Sequence, residues 1–213
     1  MRDITFYFDF ISPYAWLGFQ AQPEALQGIS HRVSYKPVVF GAMLKHHGQL
    51  GPAEIPAKRD WTYRQVLWLA RQQGVDLRMP AAHPFNSLAL LRLAVASQAD
   101  GQPNRYVTEK MFQHVWCTGQ EAADASRLAA LTAQLAPVQD PQSVQVKQQL
   151  QTWTQEALAL NVFGVPSWVV DDKVFWGQDA LPMLRAYLLG DDWFDSPDWH
   201  GVSDIAVGIR RQG

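Results

Sequence analysis

The chain has 213 residues and a formal net charge of −2, and hydrophobic residues make up 47% of it. This length and composition are typical of a globular protein with a substantial core, and the small charge, without a basic cluster between aromatic residues, argues against nucleic-acid binding. No run approaches the roughly 18 apolar residues of a membrane span and no secretory leader is evident, so we expect no membrane partner and a cytoplasmic location.

The beginning of the chain predicts two strands with a helix between them. Residues 4–10 are aromatic and β-branched and predict a buried strand, residues 13–27 predict a helix, and residues 31–40 predict a second strand. Glycine and proline recur over residues 41–59, and this composition predicts a loop.

A block of helices is predicted next. Asp60 is a candidate N-cap for the first helix, and the proline-containing segment 79–87 interrupts the helical pattern. Apolar residues at three-to-four spacing then predict three more helices, and Pro141 is expected to open a fifth.

The end of the chain predicts strands again. The runs 166–170 and 173–177 are separated by two aspartates, a hairpin-type link. Asp179 is a candidate N-cap for a final helix that Gly190 closes. The polar tail, residues 191–213, is expected to lie over the surface or to be partly mobile.

The order of these elements predicts the fold class. Strands at the two ends of the chain must pair to bury their apolar faces, so the helical block between them is an insertion. We therefore predict an α/β fold in which a core of residues 1–40 and 157–213 holds an inserted all-helical subdomain of residues 41–156.

Cysteine and histidine give no sign of a metal site or a disulfide. Cys117 is the single cysteine, so an internal disulfide is excluded, and its place in a predicted helix favours a buried apolar role. His46 and His47 are adjacent and have no partner at ligand spacing, so no metal is predicted.

Two prolines mark junctions between strands and other elements. Ser12-Pro13 follows the first strand, where proline suits the first helical position and serine suits the N-cap. Val165-Pro166 stands at a strand start, a position that tolerates the missing N–H of proline. Each junction is explained by local structure alone, and that explanation stays open at this point.

Taken together, the strand–Ser-Pro–helix opening, the helical insertion and the Gly-Val-Pro before the last hairpin resemble the thioredoxin fold of the disulfide-oxidoreductase A superfamily. Redox members carry a Cys-Pro-x-Cys motif where this chain has Ser12, Pro13, Tyr14 and Ala15. Both sulfurs are absent, so disulfide exchange through this motif is excluded. The stretches "YFDFISPYAWLGFQ" and "FGVPSWVVDDKVFWGQDAL" are similar to the opening and closing motifs of one branch, the 2-hydroxychromene-2-carboxylate isomerases and kappa-class glutathione transferases.

The resemblance implies that glutathione is the cofactor and that Ser12 is the catalytic residue. The Ser12 hydroxyl would donate a hydrogen bond to the glutathione thiolate, and the helix N-terminus would add partial positive charge. The resemblance also implies that the Val165-Pro166 bond is cis and that the Val165 backbone pairs with the cysteinyl unit of glutathione.

Further site residues follow from the same resemblance, each with a structural alternative. The γ-glutamyl end of glutathione is assigned to the stretch Trp176, Gly177, Gln178 and Asp179, and simple helix capping is the alternative for Asp179. Two loop positions, Lys58 and Gln49, are candidates for glutathione contact, with an ordinary surface role as the alternative for Lys58. Two candidates for substrate contact are Tyr14 and Asn86, and an N-cap role is the alternative for Asn86.

The leading hypothesis is a glutathione-dependent isomerase of 2-hydroxychromene-2-carboxylate-type aromatic compounds, in which glutathione is regenerated. One alternative is a kappa-type transferase, in which glutathione stays on the product of a small electrophile. Another is a non-catalytic thioredoxin-like binding domain. Because members of this branch are often dimers, the resemblance also implies a homodimer.

Overall fold

The computed structural model describes residues 1–209, which form four strands and nine α-helices. The strands are β1 (Arg2–Phe8), β2 (His31–Pro37), β3 (Ser167–Val170) and β4 (Lys173–Trp176). The helices are α1 (Pro13–Ala25), α2 (Phe40–His46), α3 (Pro56–Gln73), α4 (Leu88–Ala96), α5 (Arg105–Trp116), α6 (Ala125–Leu135), α7 (Val144–Ala159), α8 (Leu181–Leu188) and α9 (Pro197–His200).

The four strands form one mixed sheet in the order β2-β1-β3-β4. β1 and β2 are parallel, so the chain needs a crossover between them, and α1 provides it. β3 is antiparallel to β1, with Phe6 opposite Trp168, and β4 is antiparallel to β3. Between β2 and β3 the described chain is helical and contains no strand, so the predicted α/β core with a helical insertion is confirmed.

One continuous hydrophobic core joins the sheet to the inserted helices. The Phe6 and Phe8 rings of β1 stack with centroids 5.1 Å apart, and the Phe8 ring lies 5.5 Å from that of Phe112 on α5. Trp116 is fully buried, and its indole N–H donates to the Phe10 carbonyl oxygen at 2.9 Å. The division of the chain into two domains at residues 40 and 157 stays a prediction.

The prediction of a loop over residues 41–59 is wrong. α2 occupies the start of that segment, a short 3₁₀ helix lies at Pro52–Glu54, and α3 begins at Pro56 rather than after Asp60. The apolar positions of α2 explain the first difference, since Met43 is fully buried although glycines surround it in sequence. Proline suits the first position of a helix, which explains the earlier start of α3.

Other element ends differ by a few residues. β2 ends at Pro37 rather than residue 40 because α2 begins at Phe40. α7 begins after Ser143, whose hydroxyl accepts from the Val146 N–H at 3.3 Å, rather than at Pro141.

The last part of the described chain contains the β3–β4 hairpin, α8 and a short, mostly exposed tail. The predicted hairpin is confirmed, with Asp171 and Asp172 at φ values of 48° and 63° in the turn. Gly190 follows the end of α8 at φ 85°, as predicted. Residues 191–209 lie mostly exposed on the surface, as expected, although Phe194 is 2% exposed and contacts Tyr187. The end of that predicted tail, residues 210–213, lies outside the described residues.

Within residues 1–209, every helix is too short or too polar to cross a lipid bilayer.

Candidate active site

Ser12 forms the N-cap of α1, with Pro13 at the first helical position. The Ser12 Oγ accepts a hydrogen bond from the Ala15 N–H at 3.2 Å and donates one to the Val165 carbonyl oxygen at 3.3 Å. Its side chain is largely buried, and the residue is 7% exposed. The predicted N-cap is confirmed, and the hydroxyl also connects the helix start to the segment before β3.

The Val165-Pro166 bond is cis, as predicted. The Pro166 carbonyl oxygen accepts from the Gly177 N–H at 2.9 Å, which fixes the turn against the end of β4. Within residues 1–209 the Val165 N–H has no hydrogen-bond acceptor, and the same holds for the Tyr14 N–H in the first turn of α1. Two residues with an unpaired backbone N–H therefore line the same cavity as Ser12.

A cavity of about 580 Å³ opens at this junction. α1 and the segment before β3 contribute Ser12 and Val165, and α2 with the loop after it contributes Leu44 and Leu50. Trp176, at the end of β4, is 54% exposed at the cavity wall. The cavity thus combines a small polar region around Ser12 with broad apolar walls.

A second groove, more open and about 850 Å³ in volume, lies between α1, α5 and α6. Cys117 lines it, whereas Ser12 lines the smaller cavity. The thiol of Cys117 donates to the Asp76 carbonyl oxygen at 3.3 Å, and burial raises the pKa of this thiol to about 11. We assign the site to the smaller cavity because it contains the helix N-terminus and the unpaired backbone donors.

The structure brings six of the predicted site residues to the smaller cavity: Ser12, Tyr14, Gln49, Lys58, Val165 and Trp176. The Lys58 side chain makes no ion pair with any residue in 1–209, so its charge is available at the cavity. Asn86 lies outside the cavity and is exposed. Its Oδ1 accepts from the Leu88 N–H at 3.0 Å, which is a local role at the start of α4.

Gly177, Gln178 and Asp179 adjoin the cavity through Trp176 and do not line it. The N-cap of α8 is Ala180 and it has no side-chain cap, so the structure gives no support to a capping role for Asp179. Burial raises the pKa of Tyr14, a hydrogen bond with Thr62 lowers it, and the negative charge of Asp179 raises it by a smaller amount.

Sequence reasoning missed His83, which also lines the cavity. Its Nε2 lies 2.8 Å from the Ile11 carbonyl oxygen and its Nδ1 lies 2.8 Å from the Tyr63 hydroxyl. We assign the proton to Nε2 because a carbonyl only accepts. Burial lowers the pKa of His83, which favours this neutral imidazole. The sequence near His83 signals only a break between helices, since its partner is 72 positions away.

Comparison with known proteins agrees with the fold. The family described as the DSBA-like thioredoxin domain matches residues 3–189. The 2-hydroxychromene-2-carboxylate isomerase of Sphingobium xenophagum is 26% identical, over 88% of this chain and 98% of that protein. The glutathione S-transferase kappa 1 of Caenorhabditis elegans is 39% identical, over 87% of this chain and 90% of that protein. A solved 2-hydroxychromene-2-carboxylate isomerase superposes with a TM-score of 0.76 at 24% identity, covering 92% of this chain and 98% of that one.

Proposed function

This chain belongs to the DSBA-like thioredoxin domain family, and we propose that it is a glutathione-dependent enzyme in which Ser12 stabilises the thiolate of bound glutathione. One observation carries the proposal: the hydroxyl of Ser12 lies at the N-terminus of α1, beside the cavity, where redox members of the superfamily have a cysteine. The chain's single cysteine, Cys117, lines a different groove. A thiol that reacts in this cavity would therefore come from outside the chain. Relatives of both named kinds are enzymes, which supports the same interpretation.

The residues around the cavity fit glutathione. The Val165 N–H has no acceptor within residues 1–209, and the adjoining carbonyl accepts only from Ser12, so this segment offers a strand-like edge to a peptide backbone. The free charge of Lys58 suits a carboxylate. Asp179, next to the cavity, suits an ammonium group.

Bound glutathione would supply a thiol, whose ordinary pKa of about 8.5 leaves little thiolate at neutral pH. The Ser12 hydroxyl can turn its hydrogen from the Val165 carbonyl towards the sulfur while its oxygen still accepts from the Ala15 N–H. The Tyr14 N–H and the partial positive charge at the N-terminus of α1 act in the same direction. Each of these interactions favours the charged form and lowers the thiol pKa.

The apolar walls support a flat aromatic substrate. Leu44, Leu50 and Trp176 line the cavity, and the Trp176 ring lies 4.8 Å from that of Phe163, which also lines it. We propose a 2-hydroxychromene-2-carboxylate-type compound as the substrate and isomerisation as the reaction, with Tyr14 as the α1 side chain that contacts the substrate. Transfer of glutathione to a small electrophile is the alternative, since it uses the same thiolate. The cytoplasmic location and the homodimer stay predictions.

The experiment is a count of turnovers for each molecule of glutathione. The protein is incubated with 2-hydroxychromene-2-carboxylate and a limiting amount of glutathione, and product and free thiol are measured together. Many turnovers with the thiol conserved would establish isomerisation, whereas one thiol consumed for each product would establish transfer. Absence of both turnover and glutathione binding would refute the proposal and favour a non-catalytic domain.

A further inference from the structure

Asp9 is a buried carboxylate that the proposed mechanism does not use. It follows β1 directly, stands three positions before Ser12 and is 1% exposed. Its Oδ1 accepts from the Ile11 N–H at 3.1 Å, and its Oδ2 accepts from the Phe40 N–H at 3.1 Å. One side chain therefore connects the Ser12 turn to the start of α2.

The two backbone segments that Asp9 connects form different walls of the cavity. Ile11 and Ser12 line it from the start of α1, and Phe40 lines it from the start of α2. We propose that Asp9 is a positioning residue that fixes the Ser12 hydroxyl relative to the α2 wall. The effect of Asp9 on turnover with glutathione rests on the proposed function. Its effect on the position of the Ser12 turn relative to α2 does not.

The rest of the Ser12 turn is already fixed by other groups. The Trp116 indole N–H binds the Phe10 carbonyl, and the Ser12 N–H donates to the Asp9 carbonyl oxygen at 3.1 Å. His83 binds the Ile11 carbonyl. The Ile11 N–H of this turn donates to the Asp9 side chain instead.

A carboxylate is the suitable side chain for this connection. An ionised carboxylate only accepts, so each of its oxygens can receive a different backbone N–H. Asparagine would turn an NH₂ group towards one of the two N–H groups and leave that donor buried without an acceptor. Burying a charge is costly, and no basic side chain in residues 1–209 forms an ion pair with Asp9. The protein therefore buries an unpaired carboxylate, at a cost in stability, at the point where the α1 and α2 walls of the cavity meet.

The ionisation of Asp9 offers a direct measurement of the connection. Burial raises its pKa to about 6, although the hydrogen bonds from the Ile11 and Phe40 N–H groups lower it, and no charged side chain contributes to the shift. The other titratable group bonded to this turn is His83, which is held by the Tyr63 hydroxyl and has a lowered pKa. His83 bonds Ile11 and not Phe40, so the Phe40 amide reports on Asp9.

The experiment compares Asp9→Asn with Thr154→Val. Thr154 is a matched control because its hydroxyl accepts from the Val39 N–H at 3.1 Å, so the variant loosens the start of α2 without touching the Ser12 turn. We expect Asp9→Asn to lower kcat with glutathione by about ten- to hundredfold. It should also raise the pKa of the bound glutathione thiol, read from ultraviolet thiolate absorbance. Thr154→Val should leave that thiol pKa at the wild-type value.

Amide resonances in the wild-type protein without ligand provide a second measurement, which also serves if Asp9→Asn does not fold. The Ile11 and Phe40 amides should titrate together with one midpoint, because both donate to the same carboxylate. A wild-type protein that binds no glutathione but shows this shared titration would refute the proposed function and support the connection. Amides that titrate separately, or an unchanged thiol pKa in a folded Asp9→Asn variant, would overturn the positioning role.

Discussion

Replacing Ser12 with alanine removes one oxygen that has two separable effects. In the free protein the Oγ caps α1 through the Ala15 N–H, and loss of an N-cap costs about 0.5–2 kcal/mol of folding free energy. In the complex the hydroxyl would donate to a thiolate, and a hydrogen bond to a charged group contributes about 1.5–3 kcal/mol. If the second value applies, the thiol pKa rises by about one to two units and the rate falls about ten- to hundredfold.

The assay separates these effects by titration of the bound thiol. Ultraviolet thiolate absorbance gives the apparent pKa of glutathione on wild type and on Ser12→Ala, and chemical denaturation gives the folding free energy of each. Ser143→Ala is the matched control, because Ser143 caps α7 in the same way and lies outside the cavity. It should lose a similar amount of stability without any change in thiol pKa or rate.

The helix N-terminus and the Tyr14 N–H remain in Ser12→Ala, so some activity should persist. An unchanged thiol pKa together with an unchanged rate would refute the reasoning. Ser12 would then serve as an N-cap alone, and the local explanation of the Ser-Pro junction would be sufficient.

Three further predictions concern other residues of the cavity and its surroundings. Lys58→Ala should raise the KM for glutathione, and the difference from wild type should shrink at high salt because the interaction is between exposed charges; an unchanged KM would contradict a binding role. Asp9 has a pKa of about 6 in the folded protein against an ordinary value of 3.8. The protonated carboxyl therefore contributes its full stability below pH 3.8, and this contribution is lost as the pH rises through the folded-state pKa of about 6. Relative to Asp9→Asn, wild type should lose about 3 kcal/mol of unfolding free energy across that interval, and parallel pH curves in denaturant melts would contradict the burial argument. In Gly164→Ala the added Cβ would lie 2.5 Å from the Trp176 Nε1. The half-exposed indole must therefore move, so the KM for substrate should change while the melting temperature stays close to that of wild type. A large fall in melting temperature would contradict a local displacement of Trp176.

The parts of the fold that the sequence predicts are those encoded by adjacent residues. The Ser12-Pro13 helix start needs only a capping hydroxyl and a proline, and the hairpin turn needs only two residues that tolerate positive φ. The sequence predicts a loop where α2 lies, since α2 packs against α7, more than 100 residues later in the chain, and such a contact has no local signal. The glycines and prolines of residues 41–59 indicate a loop and not a helix.

The candidate site divides in the same way. Ser12, Val165 and Trp176 were found through short motifs, and all three line the cavity. His83 and Asp9 were missed because each acts through a backbone group in a distant segment. Asp9 did carry one local signal, a charged residue within the apolar run "FYFDF". Such a residue in a buried strand region indicates a carboxylate with donors around it, but its partners cannot be read from spacing.

The position of Cys117 in a separate groove has a consequence for how the protein withstands oxidation. With a pKa of about 11, its thiol is almost entirely uncharged at neutral pH and reacts slowly with alkylating agents and peroxides. Under the proposed function the reactive sulfur belongs to a diffusible molecule. An oxidised sulfur would then leave by dissociation and be replaced from the surrounding pool, so the polypeptide would need no repair enzyme. Its activity would follow the supply of reduced glutathione and would be indifferent to thiol-blocking treatment of the protein itself.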